Sequence, residues 1–177
     1  MSWESTDHLL FIMALTCMYS IKQWKNVLIL ITAFTVGHSL TLFLSVCDWV
    51  RFKSDIVEFL IPITILITGI SNIVVSNKED RKINFNYLPP LFFGLIHGMG
   101  FANAIRFMIA KADSIVLPLV SFNIGIEAGQ LILVFLILII FAFLHRTFGV
   151  KHQWWNIALS SLACLMAIYM CIQRWPF

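Results

Sequence analysis

Residues 115–144 read IVLPLVSFNIGIEAGQLILVFLILIIFAFL, and this stretch decides the fold. A bilayer core of about 30 Å takes roughly 20 apolar residues as a helix, and the run is longer than that. Strand-like alternation of polar and apolar residues is absent, so a helix is the expected form. Asn123, Glu127 and Gln130 interrupt the run at spacings of four and three, which places them on one helical face. Gly125 and Gly129 form a separate strip of small residues, suited to packing against another helix. Glu127 falls near mid-depth, where a charge costs about 2.5–3.5 kcal/mol on insertion scales. A carboxylate at that depth calls for a partner.

Five further apolar runs flank this one, over 4–21, 24–47, 55–76, 88–110 and 154–173. Together the six predict an all-α, polytopic membrane protein, a bundle of about six transmembrane helices that forms a single domain over 1–177. Among the separators only Asn77 to Tyr87 is longer than a tight connection. Composition agrees: 60% of the 177 residues are hydrophobic and 12% charged, against roughly 25% charged in soluble domains. Six spans of about 20 residues leave only short loops. These figures exclude a soluble enzyme, a disordered chain and a nucleic-acid binder, and no basic run suggests a nucleic-acid partner. The expected surroundings are membrane lipid.

Counting Lys and Arg by side gives seven around Lys22, Lys78 and Arg146 and five around Arg51, Arg106 and Arg174. The richer side is expected to be cytoplasmic. Both termini are therefore predicted outside, in keeping with the acidic start at Glu4 and Asp7. No basic region precedes the first apolar run and no small-residue cleavage site follows it, so no cleavable signal peptide is expected. Cys17, Cys47, Cys164 and Cys171 lack metal-ribbon spacing and read as small buried hydrophobes.

The polar residues inside the spans carry the chemistry. In the first span the strictly apolar part, Leu9 to Tyr19, is short for a bilayer. Either the helix reaches back to take Asp7 and His8 into the bundle, or these two lie at the headgroups, Asp7 serving as a cap. The second span carries Thr35, His38 and Ser39 on one face. The fourth carries His97 within Gly94-Leu-Ile-His-Gly-Met-Gly100, whose glycines allow close backbone approach. His8, His38, His97 and Glu127, with Asp7, thus share one slab of membrane. Imidazole nitrogens with carboxylate oxygens suit a divalent first-row transition metal: zinc, nickel, cobalt or Cu(II). Thr35, Ser39, Asn123 and Gln130 suit either the orientation of those imidazoles by hydrogen bonding or plain interhelical bonds. Thr64, Thr68 and Ser71 read as a packing stripe, and Arg106 as snorkelling or pairing with Asp113. The end of the bundle away from the termini reads as nearly free of polar residues.

Four motifs, Thr6-Asp-His-Leu-Leu-Phe11, Thr32-Ala-Phe-Thr-Val-Gly-His-Ser-Leu-Thr-Leu42, Phe93-Gly-Leu-Ile-His-Gly-Met-Gly-Phe-Ala102 and Phe122-Asn-Ile-Gly-Ile-Glu-Ala-Gly-Gln130, resemble in order those of the HupE/UreJ family of bacterial membrane proteins. The resemblance implies a hydrogenase or urease accessory permease of the bacterial cytoplasmic (inner) membrane, implicated in nickel or cobalt movement. It also implies functional roles for Asp7, His8, His38, His97 and Glu127. Two departures stand out. No histidine precedes Asp7, and Ser5 occupies the position where a glycine is common.

Two functions follow as expectations. The first is a permease that moves a divalent transition metal through the His and carboxylate site, with protons competing for the same groups. The second is an intramembrane zinc hydrolase acting on a lipid or membrane-embedded substrate, with Glu127 or Asp7 as general base.

Overall fold

In the computed structural model the described residues are 3–76, 86–109 and 116–176. They form six α-helices: α1 (Trp3–Thr16), α2 (Trp24–Val46), α3 (Ser54–Ser76), α4 (Leu88–Ile109), α5 (Val116–Phe148) and α6 (His152–Gln173). A single 3-10 turn, Ile21–Gln23, precedes α2, and the Gln23 side-chain oxygen accepts from the Ser20 N–H. No strand occurs among the described residues. Four segments are long and apolar enough to cross a membrane: Ile21–Val46, Ser54–Ser76, Val116–Phe148 and His152–Gln173. Shorter apolar stretches, Thr6–Thr16 and Leu88–Ala102, lie in the other two helices. The chain is an all-helical polytopic membrane protein.

Two boundaries differ from the sequence expectation. The first span was expected to reach residue 21, but α1 stops at Thr16. There the Thr16 hydroxyl donates back to the Ile12 carbonyl at 2.7 Å, and the chain turns through Cys17 and Met18. With 14 residues the helix is about 21 Å long, too short to span a bilayer core unaided. It is the central helix and touches all five others, although Leu9 on its outer side is half exposed. Phe11, Ile12 and Ala14 are fully enclosed. At the other extreme, α5 runs to Phe148 rather than 144, ending in His145 and Arg146.

The other helices surround α1 largely as two pairs. In the α2·α4 pair the backbones nearly touch. A Cβ built at Gly94 would stand 2.9 Å from the Phe34 carbonyl carbon and 3.0 Å from the His38 nitrogen, and closer still to the Phe34 oxygen. Gly37 faces the Leu91 carbonyl and Gly98 the His38 carbonyl in the same way. Thr41 ties the pair further by donating to the Leu95 carbonyl at 2.8 Å. In the α3·α6 pair, Gly69 lies against the Cys164 side chain and the Ser160 carbonyl.

Helix α5 leans on α1 and α2. Its outer face, with Leu117, Ile124, Ile132, Phe135 and Phe143, is exposed as a lipid-facing surface should be. The expectation that Gly125 and Gly129 form a packing strip is corrected here: among the described residues nothing lies within 4 Å of a Cβ at either.

Arg106 does not stand alone at its helix end. It donates through Nε to the Ser45 carbonyl at 3.1 Å and pairs with Asp48 at 2.7 Å, so its acidic partner is Asp48. Asp113 lies outside the described residues. Asp48 occupies the left-handed conformation, φ 60°, that closes α2.

Candidate metal centre

Adjacent residues on a helix point about 100° apart, and α1 uses this to send Asp7 and His8 to different neighbours. His8 turns toward α2 and α4. Its ring lies 5.3 Å from that of His38 and 4.8 Å from that of His97, centre to centre, and nearly perpendicular to both. Two imidazoles on one tetrahedral metal, each nitrogen about 2 Å from the ion, put their ring centres about 5 Å apart. The glycine contacts explain why the two partners are near: His38 and His97 sit on the helices that Gly37, Gly94 and Gly98 bring together.

The three rings lie in an aromatic box. Phe34 touches all three, Phe101 touches His8 and His38, Phe11 leans tilted against His97 and Phe122 stacks beside His38. His38 and His97 are wholly inaccessible, and His8 is 9% exposed. Such walls exclude water and offer no hydrogen bonds of their own.

What each ring finds for its nitrogens sets its role. Thr64, on α3, gives its hydroxyl proton to the Ile61 carbonyl at 2.7 Å while its oxygen lies 3.0 Å from His97 Nε2. The one hydroxyl hydrogen being committed, this network assigns the donor role to His97 Nε2–H and leaves the lone pair on Nδ1. His97 Nδ1 is buried with no hydrogen-bond partner, and the same holds for both nitrogens of His38. The Asn123 carboxamide approaches His38 from α5 but falls short of hydrogen-bond geometry. Lone pairs without donors in a dry box are the positions a cation would fill. Among the described residues, however, no three His, Cys, Asp or Glu side chains already converge as a ligand cage.

The other sequence-selected residues are placed as follows. Asp7 is 1% exposed and turns toward α6, where Arg174 grips both its oxygens, at 2.7 Å and 3.3 Å. Arg174 Nη1 also donates to the Glu58 carbonyl at 3.3 Å. Pro62 lies four residues on and has no N–H to give that carbonyl. Glu127 is half-buried on α5, and among the described residues no hydrogen bond or ion pair joins it to another side chain. Thr35 donates to Gln130 at 3.1 Å and Ser39 to Asn123 at 2.8 Å, two interhelical bonds that fasten α5 to α2.

Sequence reading missed two members of this arrangement. Thr64 was taken as packing because its stripe carries no ionisable residue. The counterion of Asp7 went unnamed, although topology puts Arg174 on the same side of the membrane.

A polytopic helical membrane protein with a buried imidazole cluster is the class that fold and site define. The HupE / UreJ protein family model matches residues 2–175, and the chain belongs to that family, which is associated with accessory functions in nickel and cobalt transport. Comparison with curated proteins and with solved structures finds no match.

Proposed function

We propose that this protein is a permease of the bacterial cytoplasmic membrane that moves a divalent transition metal, with both termini outside. One observation carries the reading: three imidazoles from three helices, at 4.8 Å and 5.3 Å ring spacing, sit in a dry aromatic box with lone pairs of His38 and His97 lacking donors. The cargo enters from the side of the termini. Small rotations of His8, His38 and His97 bring their nitrogens onto it, in place of its water. Thr64 orients His97 for this by holding Nε2–H. Neutral nitrogen ligands favour nickel, cobalt, zinc or Cu(II) over magnesium or calcium. The ion leaves when the bundle opens on the opposite side.

A hydrolase would need a carboxylate beside the metal to activate water. Asp7 is engaged by Arg174, and Glu127 is not joined to the imidazoles. The permease reading therefore stands ahead.

Nickel(II) binding to the purified protein and uptake into liposomes test it together. The expected result is one ion per chain, with binding and uptake both abolished in His38→Ala. A wild-type chain that neither binds nor carries nickel, cobalt or zinc ends the proposal.

A further inference from the structure

At the end of the bundle away from the termini, expected to be apolar, Cys17, Asn72, Ser76, Asn156 and Ser160 form a buried polar network instead. Asn156 Oδ1 accepts from the Cys17 thiol at 3.0 Å and from the Ser160 hydroxyl at 3.1 Å. Its Nδ2 donates to the Asn72 carbonyl at 3.2 Å and to the Ser76 hydroxyl oxygen. Asn72 Nδ2 in turn reaches the Ala14 carbonyl at 2.6 Å and Ser160 Oγ at 3.3 Å. Such a network alone could be a clasp between α1, α3 and α6. This one faces a cavity of about 180 Å³ bordered by Ser20, Gln23, Val75, Ser76, His152 and Asn156, and a clasp needs no cavity. The space holds several waters.

We propose that this cavity is a second cation station, a vestibule that receives the partly hydrated divalent metal after it leaves the histidine cluster. The inference rests on the permease reading. Three features support it. The lining offers hydroxyl and amide oxygens and one imidazole, which coordinate a cation weakly enough for it to depart. Among the described lining residues there is no carboxylate, lysine or arginine, so these side chains neither trap nor repel the ion. The network carries polar surface inward to Cys17, the residue just past the end of α1 and nine positions from His8, or about 13 Å at helical rise.

Between the two polar chambers stands an apolar layer of Phe11, Phe34 and Ile65, each fully buried. The two phenyl rings are stacked at 4.8 Å. That layer is the barrier the ion crosses when the bundle opens inward.

The experiment uses the full chain and nickel(II). His152→Leu should leave one nickel bound at the histidine cluster with unchanged affinity and lower uptake into liposomes at least tenfold. Wild-type uptake in His152→Leu overturns the vestibule and leaves the permease reading standing. A wild-type chain that binds nickel without moving it defeats the permease reading and the vestibule with it. Should His152→Leu fail to assemble, Val75→Asp carries the test by placing a carboxylate in the cavity. It should retain a second nickel per chain and slow uptake at least tenfold, whereas one nickel and wild-type uptake overturn the inference.

Discussion

Replacing Gly94 with alanine puts a single methyl group where two helix backbones meet. The new carbon would stand 2.9 Å from the Phe34 carbonyl carbon and 3.0 Å from the His38 nitrogen, whereas ordinary contact begins near 3.4 Å. Every one of these neighbours is backbone, so no side chain can swing aside. Helices α2 and α4 must part, by about 0.5–1 Å to recover normal carbon contacts. Overpacking of this kind costs about 1–3 kcal/mol. Because His38 sits on one helix and His97 on the other, one turn from Gly94, the parting also spreads the imidazoles. The expected outcome for Gly94→Ala is a loss of thermal stability in detergent together with nickel affinity at least tenfold weaker, measured by circular dichroism and calorimetry. Gly125→Ala is the internal control. Its Cβ meets nothing within 4 Å, so stability should hold or rise by up to about 1 kcal/mol from helix propensity. Equal responses at the two glycines, or a neutral Gly94→Ala, would refute the claim that backbone contact sets the spacing of the histidines.

Arg174→Met strips a buried carboxylate of its partner and should cost about 3–5 kcal/mol of unfolding free energy, with Asp7→Asn in the same chain restoring most of it; a single variant as stable as wild type would show that the pair carries little. Thr64→Val leaves His97 in place but removes the acceptor of its Nε2–H, so nickel affinity should fall 10–100-fold, and an unchanged isotherm would count against the assigned tautomer. Glu127→Gln should keep one nickel per chain, because Glu127 is not joined to the imidazoles; loss of the bound ion would show that it swings into the cluster. Asp48 lies outside the spans, and its hydrogen bond from Arg51 lowers its carboxyl pKa below the ordinary 3.8. Its contribution to closing α2 should therefore be complete above about pH 4 and fade only as pH falls through the lowered value, which NMR titration of the carboxyl carbon would follow.

The fold was largely legible because apolar length and missing alternation leave helices as the main option. The histidines were legible by depth: counting residues from each helix end puts His8, His38 and His97 in one slab. Helix rotation was not available to that count. It decides that Asp7 and His8, though adjacent, face different neighbours, and that Glu127 is set apart from the rings. The early end of α1 was hidden because Thr16 and Cys17 sit in an unbroken apolar run, and the end shows only in the backbone, where the Tyr19 N–H bonds to the Thr16 carbonyl instead of continuing the i−4 ladder. Asn72 and Asn156 carry no motif that singles them out in the sequence, and their meeting depends on α3 pairing with α6.

The Asp7–Arg174 pair joins residues 167 positions apart, which bears on how the chain is made. A nascent α1 leaves the ribosome short, acidic and without the surroundings that make it stable. Held in lipid on its own, its carboxylate would cost about 2.5–3.5 kcal/mol. The compensating guanidinium follows α6 and is synthesised long after α1. The contact that holds Asp7 in the bundle therefore forms only after α6 has been made, and a chain that stops before Arg174 lacks the group that pairs with Asp7.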